Sequence, residues 1–143
     1  MNLRLSEATA IVACAIAQAD ALDIHLSVAV CGRNGRLVAF SKMDGAGCMT
    51  ARHAIGKAVA SSISGRNSEV MPEAGNTFAC ATVEAEGMAA FHEPGGLALR
   101  RDGALIGTVG AYGGTETEQD LACAAACVAA LQPMPARLFA HSA

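Results

Sequence analysis

Apolar side chains recur at helical spacing from Ala8 through Ile11, Val12, Ala15, Ile16 and Ala19 to Leu22, which predicts a first helix ending near residue 22. Ser6, followed by Glu7, is placed to cap its start. Two β-prone runs follow, Leu26 to Cys31 and Leu37 to Met43, on either side of Gly32-Arg33-Asn34-Gly35. Asn-Gly accepts the positive φ angles of a tight turn, so these runs are expected to pair as an antiparallel hairpin. A second helical stripe of Ile55, Ala58, Val59, Ser62 and Ile63 ends at Gly65, a residue suited to a left-handed stop. Residues 66 to 86 show no clean period and contain Pro72, Gly75 and Asn76, which predicts a short helix and a loop covering a pocket. Strands are expected again at about 87–91, 97–100 and 104–112. Thr115 with Glu118 three residues on forms a capping box for a last helix that runs to about Leu131, short of Pro133. Helix, two strands, helix, three strands, helix is the order of an α+β fold with an antiparallel sheet and helices packed on it.

The chain has 143 residues, enough for one domain, expected over 1–132, with 133–143 as a tail exposed or in contact with another subunit. Four Phe, one Tyr and no Trp leave the core to small and branched aliphatic side chains. So much apolar sequence in so small a subunit points to a homo-oligomer. The net charge of −3 is mild and the basic residues are scattered, which argues against nucleic acid as a partner. The absence of a signal-like start or a long uncharged apolar window argues against a membrane span and for a cytoplasmic protein. In that compartment the six cysteines are expected as thiols. Cys123 and Cys127 stand at i and i+4 among Leu121, Ala124 and Val128, the recurrence of a core face rather than of a metal site, and no metal is expected.

Four places carry candidate chemistry. Gly107 to Gly114 leads into a helix, but its spacing is not that of a phosphate loop, and Glu116, Glu118 and Asp120 would repel a phosphate; its glycines are better suited to close approach of a strand to a helix or to a neighbouring subunit, or to a pocket wall. The start of the second helix, at Cys48, Met49 and Thr50, offers unpaired N–H groups, and Arg52 adds a full positive charge within one turn, a setting for an anionic ligand such as a carboxylate. His53 and Lys57, at i and i+4, share a face that is either bare to solvent or lines a cleft, where Lys57 would pair with a carboxylate or act as a base. His92 and Glu93, two proton-transfer groups, precede Pro94-Gly95-Gly96, a loop whose glycines let backbone approach a ligand. Arg66, just past Gly65, is within plausible reach of the same pocket, whereas His25 and His141 are read as surface residues.

The succession Phe91-His92-Glu93-Pro94-Gly95-Gly96, Asp102-Gly103, Gly107-Thr108-Val109-Gly110, Gly113-Gly114-Thr115 and Gln119-Asp120 resembles the closing motif of the GlcG/HbpS family. Ser27 to Val30, Gly32 to Gly35, Leu37 to Phe40, Lys42 to Ala46 and Lys57-Ala58 extend the resemblance over about residues 5 to 131. It implies a profilin-like α/β sandwich with a five-stranded antiparallel sheet. It also implies haem or another small molecule as ligand, expected near a subunit interface, and the residues read above as candidates to bind it are Thr50, Arg52, His53, Lys57, Arg66, Gly95 and Gly96. Haem would take an axial ligand from His53 or His92, with Arg52 and Lys57 for its propionates. The scarcity of aromatic residues removes the usual stacking partners of a porphyrin. In the family the Pro-Gly-Gly loop follows the aromatic residue almost directly, whereas here His92-Glu93 intervenes. The alternative is therefore a small catabolic isomerase, lyase or hydrolytic enzyme acting on a hydroxy acid or a carboxylated product of aromatic degradation. There His92 and Glu93 would move protons and Lys57 would stabilise an enolate-like charge.

Overall fold

The computed structural model describes residues 2–71, 84–113 and 117–131. Helices α1 (Leu5–Ala21), α2 (Thr50–Ser64) and α3 (Thr117–Leu131) surround a sheet of β1 (Ser27–Gly32), β2 (Leu37–Lys42), β3 (Gly96–Arg101) and β4 (Ala104–Tyr112). The strand order is β2-β1-β4-β3, antiparallel at every junction. This is the expected α+β arrangement, but the sheet holds four strands among the described residues, not five. The segment expected as a strand at 87–91 forms no ladder: the Phe91 N–H donates to Gly56 O of α2 at 3.0 Å, so its backbone is taken up by a helix.

Period-two alternation sorts β1 between two layers. Val28 and Val30 join Ala8, Ile11, Ala15, Val109 and Cys123 in the core shared with α1 and α3, while Ala29 and Cys31 pack with Ala54 and Ala58 of α2. With both faces covered, β1 is buried throughout apart from its last residue and reads in sequence as a continuous apolar run. Cys123 is fully buried, in line with its reading as a core residue, and the Cys127 side chain lies outside the described residues.

Local signals hold with small shifts. Helix α1 starts one residue ahead of Ser6, with Arg4 at its cap and the Arg4 N–H held by Glu7 Oε1 at 3.0 Å, so Glu7 rather than the Ser6 hydroxyl caps it. Gly35 takes φ 80° in the β1–β2 turn, and Gly65 takes φ 70° to end α2, with its N–H donating to Ser61 O at 2.8 Å. The Thr115–Glu118 capping box, the short helix expected within 66–86 and the tail lie wholly or mostly outside the described residues.

Close approach of α2 to β4 decides where the site lies. A Cβ at Gly110 would come within 2.7 Å of Ala58 N, so only glycine lets the helix backbone rest on the strand. Thr108 fixes the register of that contact by donating its hydroxyl to Ala58 O at 2.8 Å. Gly110 therefore serves strand-to-helix packing, whereas a Cβ at Gly107 would meet Cys31 O of β1 at 2.6 Å and one at Gly113 would meet His25 O.

Candidate functional site

Seating α2 on β4 turns the His53–Lys57 face inward, toward Tyr112 and the loop 91–95. Lys57 is fully buried. Its ammonium donates to Ala111 O at 3.0 Å and to Asp120 Oδ2 of α3 at 3.4 Å, and sits 4.5 Å from the centre of the Tyr112 ring. Three N–H groups thus meet a carbonyl, a carboxylate and a π-face, which is what lets a charged side chain remain in the core. Burial lowers the Lys57 pKa below its usual 10.5, and the charges of Asp120 and Glu93 offset part of that drop.

His53, one turn earlier, is sandwiched. Its ring stacks on Phe91 at 4.7 Å between centroids and on Tyr112 at 4.5 Å, with interplanar angles of 27° and 23°. Glu93 Oε1 lies 3.4 Å from His53 Nδ1, within ion-pairing reach if the imidazole is protonated, yet that buried nitrogen has no hydrogen-bond partner among the described residues. Phe91 reaches this position because Gly56 has no side chain: a Cβ there would come within 2.8 Å of three Phe91 ring carbons. On the outer side the Arg52 guanidinium carbon stands 6.0 Å from the Phe91 ring centre.

Beside the stack opens a cleft of about 440 Å³ lined by Arg52, Ile55, Gly56, Gly87, Met88 and Ala89. One cation, two glycines and apolar walls suit a molecule with an anionic edge and a flat apolar body. Among the described residues no three His, Cys, Asp or Glu side chains converge as a metal site, and no helix is long and apolar enough to cross a membrane.

The structure brings Arg52, His53, Lys57, Glu93 and Gly95 into one neighbourhood. Gly95, at φ 124°, rests against Lys57, where a Cβ would fall 2.8 Å from Nζ, and the Ala111 N–H donates to Gly95 O at 3.0 Å. Gly96 N–H is bound by Ser68 Oγ at 2.9 Å, and His92 Nδ1 lies 3.2 Å from Ser68 O. Thr50 is buried, its hydroxyl shared between Ser27 Oγ and Gly47 O at 2.8 Å each, and its N–H is bound to Gly47 O at 3.2 Å. Arg66 is exposed beyond the end of α2, its backbone N–H donating to Ser64 Oγ at 3.1 Å, and it does not line the cleft. Asp120, Tyr112, Ser68 and Met88 escaped sequence reasoning as site residues. Asp120 carried a signal, its place beside Gln119 at the end of the family-like motif, but its charge was accounted for by the helix dipole.

A family model described as haem degrading protein HbpS-like matches residues 3–129. No curated protein is significantly similar in sequence. Among solved structures, a double mutant of Streptomyces reticuli HbpS is 27% identical, covering 93% of this chain and 89% of its own, with a TM-score of 0.76. The Klebsiella pneumoniae protein ORFY, 19% identical with 92% of each chain covered and a TM-score of 0.76, shares the fold. So does a PduOC:heme complex, 23% identical, covering 91% of this chain and 95% of its own, with a TM-score of 0.75.

Proposed function

Because the chain belongs to the HbpS-like family, we propose that it binds haem, or a similarly flat carboxylated molecule, in the cleft beside the Phe91–His53–Tyr112 stack. The observation that carries this reading is the lining of that cleft. Its donor set suits haem: the Arg52 guanidinium for a propionate, the Met88 thioether as a soft donor for iron, and Ile55 and Ala89 against the ring. Bound haem would supply a redox-active iron. The chain's own part is to orient the anionic edge through Arg52 and to keep water off the apolar face. A haem complex of a protein with this fold supports the same reading. His53, held between two rings, and His92, beside Ser68 O, act in this reading as wall rather than as cleft lining.

Absorbance titration with haemin tests the proposal. Wild type should give a saturable Soret shift, and Arg52→Ala should weaken it by several-fold to a hundredfold, on the order of 1.5–3 kcal/mol for a charged hydrogen bond. Arg101→Ala, whose guanidinium pairs with Glu7, should bind like wild type. An Arg52→Ala variant with wild-type affinity would place the anion elsewhere.

A second reading, a proton-transferring enzyme for a small carboxylated substrate, draws on Glu93, 42% exposed in its side chain, facing the unbonded His53 nitrogen, with the Lys57 ammonium nearby. Turnover of hydroxy acids or ring-cleavage products that disappears in Glu93→Gln would favour it. In either reading the subunit works as a homo-oligomer, which would cover Leu5, Leu37 and Met49, all at least half exposed. Light scattering at the monomer mass would exclude that assembly.

A further inference from the structure

Four hydrogen bonds converge on one residue outside the cleft. Ser68 is fully buried although it lies in the irregular segment after α2. Its N–H donates to Gly96 O at 2.9 Å, its hydroxyl accepts the Gly96 N–H at 2.9 Å and donates to Glu93 O, and its carbonyl lies 3.2 Å from His92 Nδ1. A hydroxyl has one proton to give and lone pairs to accept, and here both functions are used on backbone groups of the same loop. The loop can come this close only because residue 96 is glycine. A Cβ there would fall 2.7 Å from Lys57 O and from Ser68 Cβ.

We propose that Ser68 is a positioning residue of the ligand site, clasping residues 92–96 so that Phe91 and Glu93 are held on His53 beside the cleft. The inference rests on the binding reading above and adds what sets the shape of that site. The backbone of residues 91–93 lies outside the sheet. Among the described residues Phe91 has one backbone–backbone bond, to α2, Glu93 meets His53 without a hydrogen bond, and the 87–91 segment has no strand beside it. Removing the Ser68 hydroxyl leaves the Gly96 N–H and the Glu93 carbonyl without their partner, and the loop gains a reason to swing toward water. Phe91 forms one side of the ring stack and Gly56, which it covers, lines the cleft, so the loop's position becomes the cleft's shape.

The test has a ligand-free arm and a ligand arm on the full chain, with Ser68→Ala, Ser68→Thr as the variant that keeps the hydroxyl, and Ile11→Val as a destabilised control in the α1 core on the other side of the sheet. In the ligand-free arm the His53 ring protons, assigned with His53→Gln, are followed by NMR. Two stacked rings should shift them upfield, and Ser68→Ala should lose part of that shift while Ser68→Thr and Ile11→Val keep it. In the ligand arm, at a temperature where circular dichroism shows every variant folded, Ser68→Ala should weaken haemin binding by about three- to tenfold. Ser68→Thr and Ile11→Val should match wild type. Unmoved His53 protons in Ser68→Ala overturn the clasp. Moved protons with unchanged haemin affinity overturn its role in the site. Absence of haemin binding in every chain, wild type included, overturns the binding reading and the site role together, while the His53 protons still decide whether Ser68 holds the loop.

Discussion

Replacing Lys57 by Met keeps the aliphatic stem and deletes the ammonium, leaving Asp120, 1% exposed, without the cation 3.4 Å from its carboxylate. At that distance, and with an effective dielectric of about 20, the attraction lost is about 5 kcal/mol. Removing one partner of a buried pair typically costs about 3–5 kcal/mol. Either figure is a large part of a domain's usual ~5–15 kcal/mol. Lys57→Met should therefore unfold at much lower urea, followed by far-UV circular dichroism, while Lys57→Met/Asp120→Leu, which removes both charges, should recover most of the loss. The pH response has a definite sign. Burial lowers the folded-state pKa of Lys57 below 10.5, so between the folded value and 10.5 the unfolded chain holds the extra proton. Lys57 thus makes stability rise with pH in that window, and its desolvation cost is fully present below it; Lys57→Met should lack the rise. A single variant that costs less than ~1 kcal/mol, or a double variant as unstable as the single, would show that this pair does not join α2 to α3.

Gly56→Ala should displace Phe91 from His53, at about 1–3 kcal/mol for an overpacked contact, seen as a lower melting temperature and a changed His53 NMR signature. The buried thiols predict a loss of stability in alkali: burial pushes Cys31 up to about 12 and Cys123 up to about 11, from 9.0, so above pH 9 the unfolded chain sheds these protons first. Each thiol should lower stability by up to ~1.4 kcal/mol per pH unit until its folded value is reached, and Cys31→Ala should remove its share of the slope in urea titrations between about pH 8 and 10 under reducing conditions. An alkaline slope unchanged in Cys31→Ala would assign the effect to other groups.

The motif glycines and His92-Glu93-Pro94 singled out a loop, and Arg52, His53 and Lys57 a helix, that the structure places against each other, because helical spacing and turn chemistry are local properties of the chain. Whether the His53–Lys57 face met solvent or protein was not a local property. It depended on Gly110, which admits the α2 backbone onto β4 and turns that face inward. The supposed strand at 87–91 was misread for a related reason: an apolar stretch looks β-prone whether its N–H groups go to a strand or, like that of Phe91, to a helix carbonyl.

Sequence by itself determined the helix periods, the hairpin turn at Asn34-Gly35, the left-handed stop at Gly65 and the family, each written in neighbouring residues or in motif order. Only the tertiary structure decided that Lys57 is a buried ion-pair partner, that Ser68 holds the Pro-Gly-Gly loop and that the cleft is walled by Met88. Lys57 and Asp120 are 63 positions apart, and Ser68 and Gly96 are 28 apart. Nothing in the spacing of such pairs marks them, since the sheet register and the seating of α2 on β4 alone bring them within bonding distance.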